Sequence, residues 1–175
     1  MSVKQWSLIK SEQIFQKYGR GVDKKLFKLP NGKLEEFYIK SEGPTVSILA
    51  LTPEQKVIVV EQFRPGPNKI LSELPGGFAK EGSLKTQAEN ELLEETGYKG
   101  KVRKAAELWD DAYSILRRHC YVATNCIKVS DPSPEVNEFL QIKLLDLKQF
   151  RQALRSGNMT DIECAYLGLE FLKLL

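Results

Sequence analysis

The chain has 175 residues, 28% charged and 42% hydrophobic, with a formal net charge of +3. That length suits one domain with a short terminal extension, and no basic block is long enough to build a dedicated DNA- or RNA-binding groove. No stretch approaches membrane-spanning length, and the N-terminal "MSVKQWSLIKSEQ" lacks the apolar core of a secretion signal. Cys120, Cys126 and Cys164 are odd in number and show no CxxC spacing, which fits a reducing cytosol better than a disulfide scaffold. A soluble cytoplasmic protein is expected, with no nucleic-acid or membrane partner.

The first third reads as strands. "LFKLPNGKLEEFYI" holds an Asn-Gly step between two β-rich runs and predicts a hairpin centred on Asn31-Gly32. "TVSILAL" and "KVIVVEQF" read as buried neighbouring strands. "RPGPNK" is a loop, and "ILSELPGG" runs as a short strand into a Pro-Gly-Gly turn. Ser83 is placed to cap a helix that reaches Thr96, with Gly97 at a left-handed C-terminal cap. Strands follow at "KVRKAAELW", "RRHCYVATNCIKV" and "FLQIKLLD". Asp146 caps a first terminal helix, and Thr160 with Glu163 predicts a capping box for the last. This order implies a mixed sheet covered on both faces.

The central helix carries the chemistry. "ENELLEETG" (Glu89 to Gly97) holds four glutamates in nine residues. At about 100° per residue, Leu84, Ala88 and Leu92 form one apolar stripe, and Glu91 and Glu95 fall inside it, with Glu94 at its edge. A solvated face would put its carboxylates opposite the apolar residues. Two carboxylates about 5.5 Å apart repel by roughly 0.8 kcal/mol in water and about 3 kcal/mol at an effective dielectric near 20. Such a cluster needs protons or a cation, and magnesium binds one or two carboxylates together with substrate phosphates.

The stretch from Gly76 to Tyr98, "GGFAKEGSLKTQAENELLEETGY", resembles the Nudix box, G-x5-E-x7-R-E-U-x-E-E-x-G-U, through Gly76, Glu91, Leu92, Glu94, Glu95, Gly97 and, loosely, Tyr98. "VVEQFRPG", "SELPGG" and the terminal "SGNMTDIECAYLGLEFL" resemble the ADP-ribose and nucleoside diphosphate sugar pyrophosphatase branch of that superfamily. Two positions depart from the box. Its first glutamate falls on Gly82, or on Ser83 with a one-residue gap, and its arginine falls on Asn90, which cannot neutralise a neighbour.

The resemblance implies an α/β fold: a Nudix-type α/β/α sandwich with a central mixed sheet over residues 45–175, and an antiparallel β extension over 1–44 that pairs two chains into a homodimer. It implies hydrolysis of the pyrophosphate of ADP-ribose or a related nucleotide sugar, yielding a nucleoside monophosphate and a sugar phosphate. Magnesium, with manganese as substitute, would be held by Glu91, Glu94, Glu95 and a backbone carbonyl of the glycine turn, at Gly76 or Gly77. Arg64 and Glu73 are the substrate-binding candidates. The catalytic candidates are Glu138, Glu135 and Glu94, with Glu138 preferred as general base because it directly precedes the strand "FLQI". The single histidine, His119, reads as structural. Trp109 and Tyr113 occupy the place of a Ser-Pro-Gly turn in relatives, and base stacking competes there with buried aromatic packing. Two other functions compete: a Nudix-fold module that senses nucleotides without cleaving them, and a hydrolase of RNA ends or dinucleotide polyphosphates.

Overall fold

The computed structural model describes residues 2–79 and 82–175. Two units divide the chain: residues 1–44 with 108–117, and residues 45–107 with 118–175.

The first unit is an antiparallel sheet in the order β1-β2-β3, formed by Ser7–Lys17, Arg20–Lys28 and Leu34–Lys40. The hairpin expected around Asn31-Gly32 joins β2 to β3, but its tip is Pro30-Asn31. The Gly32 N–H donates to the Leu29 carbonyl at 2.9 Å. Proline's fixed φ suits the first central position of a turn, which moves the tip one residue towards the N-terminus. Segment 108–117 joins β3 through two backbone bonds, Lys40 N–H to the Tyr113 carbonyl (2.8 Å) and Ile115 N–H to the Lys40 carbonyl (2.9 Å). The Lys40 ammonium meets Asp110 at 2.6 Å and Asp111 at 3.0 Å. Trp6, Phe27, Phe37, Ile39, Ala112 and Tyr113 line a cleft of about 370 Å³. Trp109 and Tyr113 are both more than half exposed, so neither is buried aromatic packing. Arg117 stacks over Trp109 at 4.1 Å, and Tyr113 stacks on Phe37.

The second unit is an α/β/α sandwich. Its strands are β4 (Thr45–Leu51), β5 (Val57–Arg64), β6 (Lys69–Glu73), β7 (Gly76–Phe78), β8 (Tyr98–Trp109), β9 (Arg117–Lys128) and β10 (Leu140–Leu145). Among the described residues the sheet order is β10-β5-β4-β9-β8, with β6 on β5 and β7 on β4. The β4–β9 pairing is parallel, while β4–β5, β4–β7, β5–β6 and β5–β10 are antiparallel, so the sheet is mixed. Side chains alternate across a strand, and β4 shows what each face meets. Val46, Ile48 and Ala50 share a core with Ala88 and Leu92 of α1 (Leu84–Thr96). Leu49 points the other way, where a methyl group at Gly168 of α3 (Ile162–Phe171) would come within 2.8 Å of it. Both faces of β4 are therefore covered, and it is buried almost throughout.

Three local expectations change. "PGG" does not end in a turn: Gly76–Phe78 is a strand, with Gly76 opposite Ser47. A Cβ on Gly76 would lie 2.2 Å from the Val46 carbonyl oxygen, so the missing side chain admits the close approach. The Thr160–Glu163 capping box does not form. Asp161 is the N-cap of α3, in a left-handed conformation and without a side-chain cap bond, while Glu163 reaches Arg118 at 3.3 Å. Cys120 and Cys164 form a disulfide that ties β9 to α3 across 44 residues of sequence. Packing of the helix on the sheet brings the two together, which spacing could not reveal. Cys126 is free and buried, and burial pushes its thiol up to about 11.

The remaining helix starts and stops form as read. Ser83 is the N-cap of α1, although its side chain makes no cap bond; Gly97 closes the helix at φ 75°, donating to the Leu93 carbonyl at 2.7 Å. Asp146 and Gln149 complete a capping box on α2 (Leu147–Leu154). No helix among the described residues is long and apolar enough to cross a membrane.

Candidate active site

The site is built where α1 lies over the β4–β7 pairing. Glu95 is 2% exposed, and its Oε2 accepts the Gly76 N–H at 2.9 Å. The Glu91 carboxylate lies against the neighbouring glycine: a Cβ at Gly77 would meet Glu91 Oε1 at 3.0 Å and Oε2 at 3.2 Å. Glycines at 76 and 77 thus let two carboxylates, one helical turn apart, settle onto the strand backbone. Glu94 is exposed, as its place at the stripe's edge requires. Among the described residues no three acidic, histidine or cysteine side chains stand preassembled as a metal cage.

Burial dominates the electrostatics. It pushes the Glu95 carboxyl up to about 8; the Gly76 hydrogen bond opposes that, and the charges of Glu91, Glu138 and Glu73 add to it. A carboxyl held this far above its usual range, with an amide donor already in place, is what a divalent cation would relieve. The donor set fits such an ion: hard carboxylate oxygens beside glycine backbone.

Arg64, at the end of β5, forms a two-pronged pair with Glu73 at the end of β6. Its Nε donates to Glu73 Oε1 at 2.6 Å and its Nη2 to Oε2. Gln62 adds a 3.3 Å bond to the same carboxylate. Glu73 is 4% exposed whereas the Arg64 side chain is 42% exposed. The acid is thus the anchor and the guanidinium the group presented outwards. Glu73 holds the arginine firmly protonated, and the charges of Glu95 and Asp161 contribute. Arg64 is therefore in an ion pair, but one that orients its plane and leaves much of it open.

The acidic loop between β9 and β10 is tied to the C-terminal end of α1. The Ser133 N–H donates to the Glu94 carbonyl at 2.8 Å, and Val129 N–H to the Gly97 carbonyl at 2.9 Å, supplying partners that helix-terminal carbonyls lack. Glu135 is exposed and Glu138 half-buried. The Glu138 carboxylate accepts the Glu135 N–H at 2.9 Å, and its charge acts on Glu95. His119 is buried on β9, with Nδ1 3.5 Å from Glu107. At Gly82 the backbone has φ 114°, a conformation glutamate rarely adopts. That departure from the box is one of backbone as well as side chain. Asn90 is exposed on the helix surface.

Sequence reading missed the layer beneath. Ser47 Oγ donates to Asp161 Oδ1 at 3.0 Å, and Arg118 pairs with the same carboxylate. The available signal was a serine inside the apolar run "TVSILAL"; it is 5% exposed, and a buried hydroxyl requires a partner.

Comparison with known proteins identifies the family. The NUDIX domain model matches residues 41–162. An ADP-ribose pyrophosphatase of Bacillus subtilis (strain 168) is 30% identical over 95% of this chain and 91% of its own length. A methanol dehydrogenase activator of Bacillus methanolicus is 28% identical over the same shares. A crystal structure of an ADP compounds hydrolase superposes with a TM-score of 0.81, covering 99% of this chain and 97% of that one at 17% identity, and so shares the fold. The domain match over most of the chain, joined to the whole-length likeness and the glutamate helix set on its glycine strand, shows that this chain belongs to the NUDIX family of hydrolases and is an enzyme.

Proposed function

We propose that the protein hydrolyses the pyrophosphate bond of ADP-ribose or a related nucleoside diphosphate sugar, with magnesium as cofactor, releasing a nucleoside monophosphate and a sugar phosphate. The observation that carries this reading is the convergence of Glu91 and Glu95 on Gly76-Gly77. The likeness to the Bacillus subtilis ADP-ribose pyrophosphatase supports the substrate class. Glu91 and Glu95, with Glu94 at the rim, would hold the metal, which supplies charge neutralisation of the diphosphate and a more acidic bound water. Arg64, oriented by Glu73, meets phosphate or the distal ribose. Glu138 takes the proton of the attacking water, since a carboxylate bound directly to a cation is a poor base. The loop's attachment to the Glu94 carbonyl keeps that carboxylate close to the helix.

The working form is a homodimer paired through the N-terminal sheet. β1 is exposed along its whole length, and Leu8, Ile9, Ile14 and Phe15 are each about half exposed, so the strand has apolar surface for a second copy to cover.

The test is a panel of nucleoside diphosphate derivatives, each assayed with and without magnesium and with manganese in its place. AMP and ribose 5-phosphate from ADP-ribose, only with metal, are expected. Calorimetric binding of nucleotide without turnover at any metal concentration would establish a sensing module instead, and turnover confined to dinucleotide polyphosphates would reassign the substrate.

A further inference from the structure

We infer that Asp161 is a positioning residue for the metal-binding face, acting through Ser47 and Gly76; this rests on the reading of Glu95 as a metal ligand. Asp161 sits at the N-cap of α3 with φ 57° and ψ 26°, and its side chain makes no cap bond. An N-cap aspartate ordinarily accepts a helix N–H. This one instead accepts the Ser47 hydroxyl at 3.0 Å, the Arg118 guanidinium, and the Thr160 hydroxyl at 3.3 Å. A left-handed residue that gives up its capping bond persists when its surroundings over-determine it, and such positions gather at functional sites.

Ser47 stands directly opposite Gly76 in the β4–β7 register, and the Gly76 N–H is the donor that holds Glu95. The same segment grips the other limb of the site. The Ser72 N–H donates to the Asn158 carbonyl and the Thr160 N–H to the Ser72 carbonyl, both at 3.0 Å. Ser72 immediately precedes Glu73, the anchor of Arg64. Residues 158–161 therefore brace both the strand that presents Glu95 and the strand that presents Arg64. Asp161 bonds to β4 through Ser47, and Arg118 supplies its countercharge. With its carboxylate removed, β7 keeps its pairing on β4 but loses the fixed Ser47 side chain behind it. The Gly76 amide then opens more often, and Glu95 is less well aimed.

The experiment compares wild type with Ser47→Ala, Asp161→Ala and Asp161→Asn. Amide hydrogen exchange is followed in the metal-free protein, and manganese affinity is measured by calorimetry. Asparagine tolerates the left-handed conformation and still accepts from Ser47. Exchange at Gly76 should quicken about tenfold in Asp161→Ala and Ser47→Ala while amides of β5 keep their protection, and manganese should bind about 10-fold or more weakly, the range for residues that support a ligand. Asp161→Asn should recover most of both losses. If Asp161→Ala does not fold, Ser47→Ala decides alone. Wild-type exchange at Gly76 in Ser47→Ala, or equal acceleration across β5 and β7, overturns the assignment. A wild-type protein that binds no manganese refutes the metal reading instead, because the exchange comparison is made without metal.

Discussion

Glu95→Gln, studied without metal, isolates the electrostatic cost on which the site depends. Glu95 is 2% exposed and its carboxyl is raised to about 8 from an ordinary 4.5. The folded state therefore keeps a proton that the unfolded chain gives up, and stability falls with pH across that interval. It is greatest below about pH 4.5, declines as pH rises, and levels off above about 8. At 1.36 kcal/mol per pH unit the full decline is about 5 kcal/mol, of which about 3 kcal/mol is reached at pH 7. Glutamine keeps an oxygen for the Gly76 N–H and has nothing to titrate, so this component vanishes. Urea unfolding at intervals from pH 5 to 9, with chelator present, should show wild type losing stability relative to the variant as pH rises. Saturating magnesium should restore wild type and release a proton on binding, while the variant gains little and turns over orders of magnitude more slowly. Parallel wild-type and variant profiles, or a wild-type profile that climbs between pH 5 and 8, would refute the claim that burial raises the Glu95 carboxyl.

The other expectations concern separate parts of the molecule. Glu138→Gln should lower kcat by about 10²–10⁴-fold at saturating magnesium and Glu135→Gln much less; the reverse order would move the base to Glu135, and full activity in the double variant would remove the loop from the mechanism. Glu73→Gln breaks the paired orientation of Arg64, so KM for ADP-ribose should rise about tenfold or more with a smaller change in kcat; an unchanged KM would make the pair purely structural. The Cys120–Cys164 link spans 44 residues and on loop-closure entropy is worth about 4 kcal/mol, or roughly 10 °C in Tm. Reductant should lower the wild-type Tm by that order and leave Cys164→Ala unmoved, and a wild-type Tm indifferent to reductant would contradict the bond. Light scattering at micromolar concentration should give a dimer; a monomer there would leave the exposed apolar side chains of β1 without the proposed occupant.

Much of this architecture was legible from one dimension because it is set by local periodicity. Alternating and continuous apolar runs mark β4 and β5, Gly97 ends α1, Asp146 starts α2, and the position of Glu91 and Glu95 within the apolar stripe already implied carboxylates turned inward. Each of these is a property of residues within one or two turns of each other. What the sequence could not decide are the contacts between distant segments. Nothing in the spacing joins Cys120 to Cys164, Ser47 to Asp161, or segment 108–117 to β3, because each depends on which elements the sheet order brings side by side. Local rules even misdirect at Thr160–Glu163, where a well-formed capping box loses to the Arg118 and Ser47 contacts of Asp161. An N-cap bond is typically worth about 1 kcal/mol, whereas turning Asp161 away would leave the buried Ser47 hydroxyl without this acceptor, at about 1–3 kcal/mol. The carboxylates were readable from the helix's own repeat, while their supports became visible only once the chain had folded back on itself.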